Sequence, residues 1–460
     1  MQKQNIDIFF IAANRLSTPY LPVGCAFVAQ AAMDAGFTYE FGDVTLESED
    51  TLIERIFEAK PRYVGISTMT LEVFRNYALI RRIKAAYDVR VILGGPHVLA
   101  DGALIFEDCP EIDIAVQGEG EEAIVAILRG DPLEKISNVM FRKQDGEVVK
   151  NCVTYLDVDT INFPRYHRIP LRCYPPQMSI ASSRGCVQSC IFCGARRFLG
   201  RKWRAFSSTR MFEEFNYWYD QGYRRFYFSD SLFSKDSERI SSFCAKVKDS
   251  KIYDVQFIAD GIRADHLTFK LLKKMRDTGF TFITIGVESV SNAVLKFMAK
   301  GETFEQIDAA IKMADMLNFK IGCFFILGSP NESLEEMKAS LRFPLQYSNI
   351  SMVHYHKLTP VPGTPYFDYA VQHGLADPAT RYGTSDEFWA IAKHGTKFVS
   401  KDELQNMLQL GIAMEKFIEF RGTVLNFIRE KAGGKTPTVN ILNTLALDLW
   451  KKQGGPDICV

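Results

Sequence analysis

The sequence predicts an α/β protein with an N-terminal doubly wound, Rossmann-like domain, a central partial (βα)6 barrel and a C-terminal helical region. Two observations support this class. Short apolar runs alternate with amphipathic stretches of helical period near the N-terminus and again from Tyr174 onward, and such alternation favours parallel sheets. The C-terminal segment, residues 376–460, contains helix-like stretches and no strand-like run. We expect boundaries at 1–155, 156–173 as a linker, 174–375 and 376–460.

The composition argues against several classes of protein. A chain of 460 residues with 47% hydrophobic and 24% charged residues suits a globular protein of more than one domain. Fifty-five basic residues balance fifty-five acidic ones, so charge gives no reason to expect a surface for nucleic acid. No apolar run reaches membrane-spanning length, and Ile6–Ala13 is too short for a signal peptide. The ten cysteines, scattered apart from one triplet, suit a reducing cytoplasm, where we expect the protein.

The N-terminal domain is predicted from five apolar runs with helical stretches between them. The predicted strands are Ile6–Ala12, Tyr39–Val44, Tyr63–Ser67, Val89–Gly94 and Ile112–Gln117. The predicted helices are Pro22–Ala35, Thr51–Ala59, Leu71–Tyr87 and Glu121–Leu128. In such a sheet ligands bind at the carboxyl ends of the strands, where the loops here are small and polar. These loops include Ser67–Thr70, Gly94–His97 and Gly118–Glu121.

The connector and the central domain follow. Val139–Arg142 and Glu147–Tyr155 predict a hairpin around Asp145–Gly146, and the Pro-containing stretch after it predicts a linker. Six strand–helix repeats then predict a partial barrel that is open on one side, with its chemistry at the C-terminal ends of the strands. The predicted strands are Met178–Ser183, Phe226–Ser229, Val255–Ala259, Phe282–Val287, Ile321–Leu327 and Ser351–Leu358. The predicted helices are Ser208–Gln221, Asp236–Asp249, Asp265–Thr278, Ser291–Met298, Thr303–Leu317 and Ser333–Gln346.

Three cysteines lie directly after the first barrel strand. Cys186, Cys190 and Cys193 have the spacing C-x3-C-x2-C. Three thiolates on one loop can hold three irons of a [4Fe-4S] cluster and leave the fourth iron open to substrate. A zinc knuckle is the alternative, but the nearest further cysteines, Cys173 and Cys244, do not form a second C-x2-C pair. Buried structural cysteines are the other alternative, and a disulfide is disfavoured in a cytosolic protein.

This spacing in its strand–loop context resembles the radical S-adenosylmethionine (SAM) enzymes. The resemblance implies that the open iron chelates the amino and carboxylate groups of SAM, which a reduced cluster cleaves to a 5′-deoxyadenosyl radical. It also implies an electron donor such as flavodoxin or ferredoxin. Further SAM contacts implied by the family's pattern lie between the second and third cysteines and at successive strand ends, although each strand-end residue alone also suits a helix cap or turn. They are Phe192, Asp230, Asp260, Arg263, Glu288, Ile326 and Gly328.

The N-terminal half resembles the cobalamin-binding domain that is fused to many radical SAM enzymes. The resemblance rests on Leu21–Gly24, Gly65–Ser67, Gly94–His97 and Gly118–Glu121, in that order. It implies cobalamin contacts at Ser67, Thr68, Gly94, Gly95, His97, Gly118 and Glu119. The motif Asp-x-His-x-x-Gly, which supplies a histidine to cobalt in other cobalamin enzymes, is absent. We therefore interpret His97 as a loop residue near the ligand, although an imidazole is able to ligate cobalt, and a domain of this fold need not bind cobalamin at all.

The last strand and the C-terminal residues bear on the substrate. His354 and His356 are two residues apart on a strand and so face the same side, either the barrel interior, where they would handle a substrate proton or carboxylate, or an outer face under a helix. The stretches Asp386–Ala392, Lys401–Lys431 and Val439–Lys452 predict helices that form a substrate-binding or lid region.

The function most consistent with these features is cobalamin-dependent methylation of an unactivated carbon of a small-molecule substrate by a radical SAM enzyme. One alternative is the same architecture used for non-methylating radical chemistry, such as cyclisation, ring rearrangement, dehydration or oxidation, with or without cobalamin. A second is methylthiotransfer to tRNA, which the neutral charge and the positions of Cys25, Cys109 and Cys152 disfavour. A third is a non-catalytic corrinoid-binding or sensor protein, which the intact cysteine triplet disfavours.

Overall fold

The structure is a computed structural model that describes residues 6–15, 18–377, 394–431, 437–456 and 458. The predicted helix Asp386–Ala392 lies outside the described residues. The described chain divides into two compact units, one formed by 6–186 with 194–206 and the other by 187–193, 207–377 and the described residues from 394 onward. Each unit contains a mainly parallel sheet.

The first unit alternates strands and helices as the sequence predicts. Its strands are β1 Ile8–Ala12, β2 Tyr39–Asp43, β3 Tyr63–Ser67, β4 Arg90–Gly94, β5 Ile114–Val116, β6 Val139–Arg142 and β7 Val148–Lys150. Its helices are α1 Val23–Asp34, α2 Glu49–Ala59, α3 Val73–Ala86, α4 Pro96–Asp101, α5 Ile105–Asp108 and α6 Glu121–Arg129. The short strands β8 Met178–Ile180, β9 Ser183–Arg184 and β10 Arg204–Ala205 and the helix α7 Ala195–Phe198 follow.

The first sheet has the strand order β2-β1-β3-β4-β5-β6-β7. Strands β1 to β5 pair in parallel, and the order reverses beside β1, which makes the carboxyl ends of β1 and β3 a topological switch point. All five residues of β1 are buried, because helices cover both faces of a parallel sheet. The predicted doubly wound fold is therefore confirmed.

The predicted hairpin extends the first sheet by two strands. Nothing in the sequence indicated that the hairpin would pair with this sheet. Strand β6 pairs antiparallel with β5, and β7 pairs antiparallel with β6. The second arm is shorter than the predicted Glu147–Tyr155, because Asn138 takes over the pairing. Its side-chain amide donates to the Thr154 carbonyl at 3.1 Å and accepts from the Thr154 N–H at 2.7 Å. The helices α4 and α5 were also missed, since both are too short to show a helical period.

The second sheet has the order β15-β14-β13-β12-β11-β8, and its pairs from β11 to β15 are parallel. The predicted six-stranded open barrel is confirmed. The predicted strand Met178–Ser183 is divided in the structure, because Ser183 and Arg184 pair with β10 in a separate two-stranded ladder. The new strands are β11 Arg225–Phe228, β12 Gln256–Ile262, β13 Phe280–Glu288, β14 Lys320–Leu327 and β15 Ile350–Lys357.

Helices of the second unit follow these strands. They are α8 Ser208–Asp220, α9 Ser237–Asp249, α10 Phe269–Thr278, α11 Asn292–Phe297, α12 Phe304–Met316, α13 Leu334–Arg342, α14 Pro365–Gln372, α15 Lys401–Lys431 and α16 Val439–Lys452. The long helix α15 packs on β15, where a Cβ atom at Gly411 would lie 2.8 Å from Cβ of Tyr355. Only glycine permits this approach of helix to strand. No helix of the described chain combines the length and the apolar character needed to cross a membrane.

Candidate active site

The first cysteine of the triplet, Cys186, is held by the β9–β10 ladder. Gly185 has a φ of 84°, and a Cβ atom there would overlap the carbonyl oxygen of Lys202. Directly after it, the Cys186 N–H donates to the Gly200 carbonyl at 3.1 Å. Glycine is therefore required before Cys186, and the backbone on both sides fixes the place where its thiol leaves the ladder.

The other two cysteines lie on a turn that backbone hydrogen bonds hold from two sides. The Ile191 N–H donates to the Met298 carbonyl at 3.0 Å, and the Ile191 carbonyl accepts from the Tyr366 N–H at 3.0 Å. The Cys193 N–H donates to the Cys190 carbonyl at 3.3 Å, which closes the turn. The middle of the loop is thus anchored on both α11 and α14.

Two of the predicted SAM contacts meet beside this turn. Phe192 and Ile326 both pack against an apolar group made of Val294, Met298, Leu358 and Tyr366. Phe192 comes from the cysteine loop and Ile326 from the end of β14. The structure therefore brings an aromatic and an aliphatic side chain to one apolar surface, which is the kind of surface on which an adenine ring packs.

The thiols fit an iron–sulfur cluster by their chemistry. Burial raises the pKa of Cys190 to about 11, while the nearby cations Lys300 and Arg263 oppose the rise. Iron binding must displace the thiol protons, and cations beside the loop stabilise the resulting thiolates. In the described residues, no three His, Cys, Asp or Glu side chains converge as ligands of a single ion. A four-iron cluster does not require this, because each cysteine binds a different iron.

Lys300 is a site residue that sequence reasoning missed. Its ammonium group is buried, 3.1 Å from Glu288 Oε1 and 3.5 Å from Glu302 Oε2. Burial lowers the pKa of Lys300, but the two carboxylates outweigh burial and raise it, so the side chain stays charged. Lysine side chains are usually exposed. The position of Lys300 in the short connection between α11 and α12 gave no sign that this one is buried.

Glu288 lies at the end of β13, as predicted, and is held there by an unusual backbone. Its φ is 62°, in the left-handed region that non-glycine residues rarely adopt. A Cβ atom at Gly286 would collide with the Glu288 carboxylate and lie 2.9 Å from Lys300 Nζ. Gly286 therefore makes room for the buried ion pair, and the family-like sequence Gly286–Ser289 has a steric basis in this structure.

Arg263 joins the same charged group. Its Nη1 donates to the Lys300 carbonyl at 2.8 Å, and its Nη2 lies 2.9 Å from Asp265 Oδ2. Its Nη1 also lies 3.4 Å from Glu302 Oε2. Lys300 thus links the two predicted residues Arg263 and Glu288. Nothing in the sequence indicated this link.

Asp260 and Asp230 occupy adjacent strands. Asp260 points into the barrel, where its carboxylate accepts hydrogen bonds from the hydroxyl groups of Tyr227 and Thr284. Asp230 is buried directly after β11. A Cβ atom at Gly261, which has a φ of 67°, would lie 2.8 Å from the Leu232 N–H nitrogen, so glycine is needed where these strand ends approach each other.

The loop after β14 is held by a buried carboxylate that sequence reasoning also missed. The Glu332 Oε2 accepts from the Gly328 N–H at 2.7 Å and from the Ser329 N–H at 3.2 Å. Burial raises the pKa of Glu332 to about 8, although both N–H groups oppose the rise. The predicted SAM contact Gly328 therefore owes its position to Glu332.

This raised pKa predicts how stability depends on pH. Between the ordinary carboxyl value near 4.5 and about 8, the folded protein keeps a proton on Glu332 that the unfolded chain has released. Stability contributed by the protonated form is therefore complete in acid and is lost as the pH rises through this window. Glu332→Gln, which mimics the protonated group, is expected to flatten the decline in denaturation midpoint between pH 5 and 8.

Glu335→Gln is the matched control, because Glu335 is an exposed neighbour on α13. It is expected to leave the pH dependence of the midpoint as in the wild type. An equal decline in Glu332→Gln and in the wild type would contradict the protonated state of Glu332.

His354 and His356 face the barrel side of β15. Their neighbour Met352 has the same orientation, and its Cε would lie 2.6 Å from a Cβ atom at Gly322, together with Thr284 Cγ2 at 3.2 Å. Tyr355, which lies between the two histidines and points to the opposite face of the strand, packs on α15 at Gly411. The rings of Phe324 and His354 stack at 5.6 Å, and those of His354 and His356 stack at 6.1 Å. An aromatic wall with two imidazoles therefore lines one side of the barrel.

Glu415 on α15 sets the electrostatics of this wall. Its Oε2 lies 3.6 Å from His354 Nδ1, and its Oε1 accepts from the Tyr355 N–H at 2.7 Å. The interaction with Glu415 raises the pKa of His354. Burial, and next the neighbouring His354, lower the pKa of His356. The wall therefore presents one imidazole that favours its charged form and one that favours its neutral form.

In the first unit, the predicted cobalamin residues Gly94 and Gly95 lie at the carboxyl end of β4. A Cβ atom at Gly95, which has a φ of 94°, would lie 2.6 Å from the backbone N and O atoms of Thr68, which is buried. Near Gly94 the closest atom would be the Ile66 carbonyl oxygen at 3.9 Å, so space is open above it. Ser67 ends β3 beside Gly94 on β4. Glycines here leave the backbone accessible to a large planar ligand, which fits cobalamin.

His97 does not point outward from this strand end. Its ring is buried, its Nε2 lies 3.2 Å from the Tyr77 hydroxyl, and Asp101 lies 3.8 Å away. The prediction of a loop residue is wrong, because His97 lies in the first turn of α4, a helix too short to be recognised in the sequence. In the next loop, Gly118 has a φ of 79° and Glu119 accepts from the Leu156 N–H at 2.8 Å. The Glu119 carboxylate also pairs with two arginines, so it serves the chain itself in addition to any ligand.

Two protein-family models match this chain. Residues 180–343 match the radical SAM superfamily, and residues 11–128 match the B12 binding domain. The chain therefore combines a radical SAM domain with a cobalamin-type domain, and its cofactors are SAM, a [4Fe-4S] cluster and cobalamin.

Similar proteins include two relatives by sequence. An uncharacterised methyltransferase of Pyrococcus horikoshii is 29% identical over 79% of this chain and 83% of its own length. An anaerobic magnesium-protoporphyrin IX monomethyl ester cyclase of Cereibacter sphaeroides is 25% identical over 75% of this chain, which spans 60% of that protein.

Among solved structures, the cobalamin-dependent SAM radical enzyme OxsB, with aqua-cobalamin and SAM bound, has a similar fold. The TM-score is 0.75 at 16% identity, over 97% of this chain and 71% of OxsB.

Proposed function

We propose that this chain, which belongs to the radical SAM superfamily and carries a B12-binding domain, methylates an unactivated carbon of a small-molecule substrate. The observation that carries the proposal is one chain with both a C-x3-C-x2-C loop on an open barrel and a glycine-lined strand-end surface at Gly94–Gly95. When bound, the [4Fe-4S] cluster and SAM supply a 5′-deoxyadenosyl radical, and cobalamin supplies a methyl carrier.

The chain's own residues bind and orient these groups. Cys186, Cys190 and Cys193 hold the cluster. Lys300 and Arg263 place positive charge beside the thiolates, and Lys300 fixes the Glu288 carboxylate at the end of β13, where it would accept from the amino or ribose groups of SAM. Lys300, Arg263 and Glu288 are buried, and ionic contacts in a buried environment are stronger than in water.

The aromatic wall is the proposed substrate side of the barrel. His354, whose pKa is raised by its contact with Glu415, would bind a substrate carboxylate or another anionic group when it is protonated, and His356, whose pKa is lowered, would accept or donate a proton. The Phe324 ring, stacked on His354, gives a planar apolar surface next to this charge. We assign these two histidines as the catalytic candidates of the site.

The role of Glu415 predicts a titration. Glu415→Gln is expected to lower the pKa of His354, because it removes the largest cause of the upward shift. The seven histidines of the chain can be followed by NMR with labelled imidazoles. Glu419→Gln is the control, since Glu419 is the smallest contributor to the shift and is expected to change it little. An unchanged His354 pKa in Glu415→Gln would contradict the proposed pairing.

Cleavage of SAM in the absence of substrate tests the methylation proposal before the substrate is known. Reduced protein loaded with its cluster and hydroxocobalamin is expected to convert SAM to both S-adenosylhomocysteine and 5′-deoxyadenosine. Gly95→Ala is expected to lower S-adenosylhomocysteine formation by about tenfold or more, a loss of roughly 1.4 kcal/mol of binding, through its collision with Thr68. Gly102→Ala is the control, because Gly102 also has a positive φ but has open space around it. Formation of 5′-deoxyadenosine alone by the wild type would contradict methylation.

Non-methylating radical chemistry is the second candidate, and the similarity to a cyclase favours it. In that case the product would lack the added methylene mass that methylation gives. We further propose flavodoxin or ferredoxin as the electron donor and the cytoplasm as the location, where low-potential donors and free thiols coexist. Residues 376–460 are proposed as the substrate or lid region, and 1–155, 156–173 and 174–375 as the preceding parts.

A further inference from the structure

A buried group of two carboxylates and two arginines lies in the first unit, and the proposed reaction does not use it directly. We name Glu119, Glu121, Arg184 and Arg204 the carboxylate–arginine network. Arg184 lies 3.2 Å from Glu119 and 2.6 Å from Glu121, and Arg204 lies 2.8 Å from Glu119. No side chain of the network is more than 14% exposed. Its charges balance, so loss of any one member leaves a buried charge without compensation.

The network joins two segments with different tasks. Glu119 and Glu121 come from the loop after β5 and the first turn of α6, at the strand-end edge where cobalamin is expected. Arg184 and Arg204 come from β9 and β10, in which they are direct partners. Arg184 is separated from the cluster ligand Cys186 by Gly185 alone. Glu119, at the strand-end edge where cobalamin is expected, is therefore linked to the proposed cluster ligand Cys186 by its ion pair with Arg184 and by two peptide units.

Packing around the network restricts its movement. The Arg184 guanidinium lies 4.8 Å from the centre of the Phe27 ring, which stacks on Phe206 at 6.1 Å. Arg204 Nη1 donates to the Leu156 carbonyl at 3.0 Å, and the Leu156 N–H donates to Glu119. A shift of Glu119 therefore cannot be absorbed locally and must displace Arg184 or break the pair, since buried ionic groups tolerate little loss of geometry.

We propose that the carboxylate–arginine network couples the binding of cobalamin to the retention of the iron–sulfur cluster, with Glu119 and Arg184 as positioning residues. A ligand that orders the loop Gly118–Glu121 holds Glu119, which holds Arg184 and hence the backbone that presents Cys186. The ordering is mutual, because coupling between two binding sites is reciprocal in free energy. This inference rests on the proposed function only in that both cofactors bind to this chain.

The test compares cofactor binding with and without the other cofactor. The Kd of hydroxocobalamin is measured by equilibrium dialysis for protein with and without its reconstituted cluster, and loss of iron to a chelator is followed with and without hydroxocobalamin. In the wild type, the cluster is expected to tighten cobalamin binding by at least about fivefold, the lower end of typical couplings, and cobalamin is expected to slow iron loss. In Glu119→Gln, the Kd of hydroxocobalamin is expected to be the same with and without the cluster, and hydroxocobalamin is expected to leave the rate of iron loss unchanged.

Glu47→Gln is the matched control, because it breaks another part-buried ion pair of the same unit, with Arg55 at 2.6 Å. It is expected to keep the wild-type coupling, which a role of Glu119 in general stability alone would not explain. If Glu119→Gln does not fold, Arg204→Lys decides in its place, since it keeps the charge but loses the paired contacts to Glu119. Coupling that persists in the folded variant would overturn the inference.

The wild-type result separates this inference from the proposed function. Wild-type protein that binds both cofactors independently, with a Kd ratio near one, would overturn the coupling and leave the methylation proposal intact. Wild-type protein that binds no cobalamin would overturn both.

Discussion

Replacement of Cys186, Cys190 or Cys193 by alanine is expected to abolish reductive cleavage of SAM to 5′-deoxyadenosine. In the proposed function each thiolate holds one iron of the cluster, and the loop offers no substitute ligand in the C-x3-C-x2-C sequence. The expected loss is complete within detection, because without the cluster no electron reaches SAM. The measurement is 5′-deoxyadenosine release by the anaerobically reconstituted variant, together with its iron content.

Cys152→Ala is the matched control for these variants. Cys152 is an exposed free cysteine in the first unit and no part of the loop. Its replacement is expected to leave both iron content and 5′-deoxyadenosine formation as in the wild type. Full activity in any of the three loop variants would remove the basis of the radical SAM mechanism for this chain.

Arg421→Met is expected to lower the free energy of unfolding by roughly 3–5 kcal/mol, the second large effect, since it leaves several buried acceptors without a donor. Arg421 on α15 is fully buried. Its Nη2 donates to the carbonyls of Pro344, Tyr347 and Ile350 at 3.1, 2.9 and 2.8 Å, and its Nη1 donates to Asn443 Oδ1 at 2.9 Å. The residue thereby joins α15 and α16 to the segment that leads into β15.

Burial of this guanidinium disfavours its charged form. Burial lowers the pKa of Arg421 to about 10. An apolar residue relieves the cost of burying this charge, but it cannot satisfy the three carbonyls, so we expect a net loss of stability. Arg429→Met on the same helix is the control; Arg429 is less buried, donates to Asn349 Oδ1 at 2.8 Å, and its loss is expected to cost about 1 kcal/mol. Chemical denaturation of both variants measures the difference, and equal stabilities would contradict the role of Arg421.

The parts of the fold that sequence patterns predicted are those with a long, regular signal. The buried strand Ile8–Ala12 is a continuous apolar run, and the core face of α15, including Leu404, Met407 and Phe417, repeats with the helical period. The cysteine loop was predictable because three residues of one type stand at fixed spacing. Short elements such as Pro96–Asp101 were missed because a helix of little more than one turn has no period to detect.

The site residues that were missed act through contacts distant in sequence. Lys300 is buried against Glu288, and Glu415 pairs with His354 from a helix that follows the barrel. Glu332 lies four residues after Gly328, yet its function depends on burial, which a glutamate in a polar loop does not reveal. Glu119 was predicted as a ligand contact, and only the structure shows its two arginine partners. Such pairings are set by tertiary packing, which local patterns do not encode.

The presence of both metal cofactors on one chain is tested most directly by an absorption spectrum with an iron and corrinoid count. The protein would be prepared anaerobically, its cluster reconstituted, incubated with hydroxocobalamin and desalted. About four irons and about one corrinoid per chain are expected, from the cysteine loop and the Gly94–Gly95 surface respectively. About four irons without corrinoid would contradict methyl transfer through cobalt and leave radical chemistry alone, and a protein without iron would contradict the radical mechanism itself.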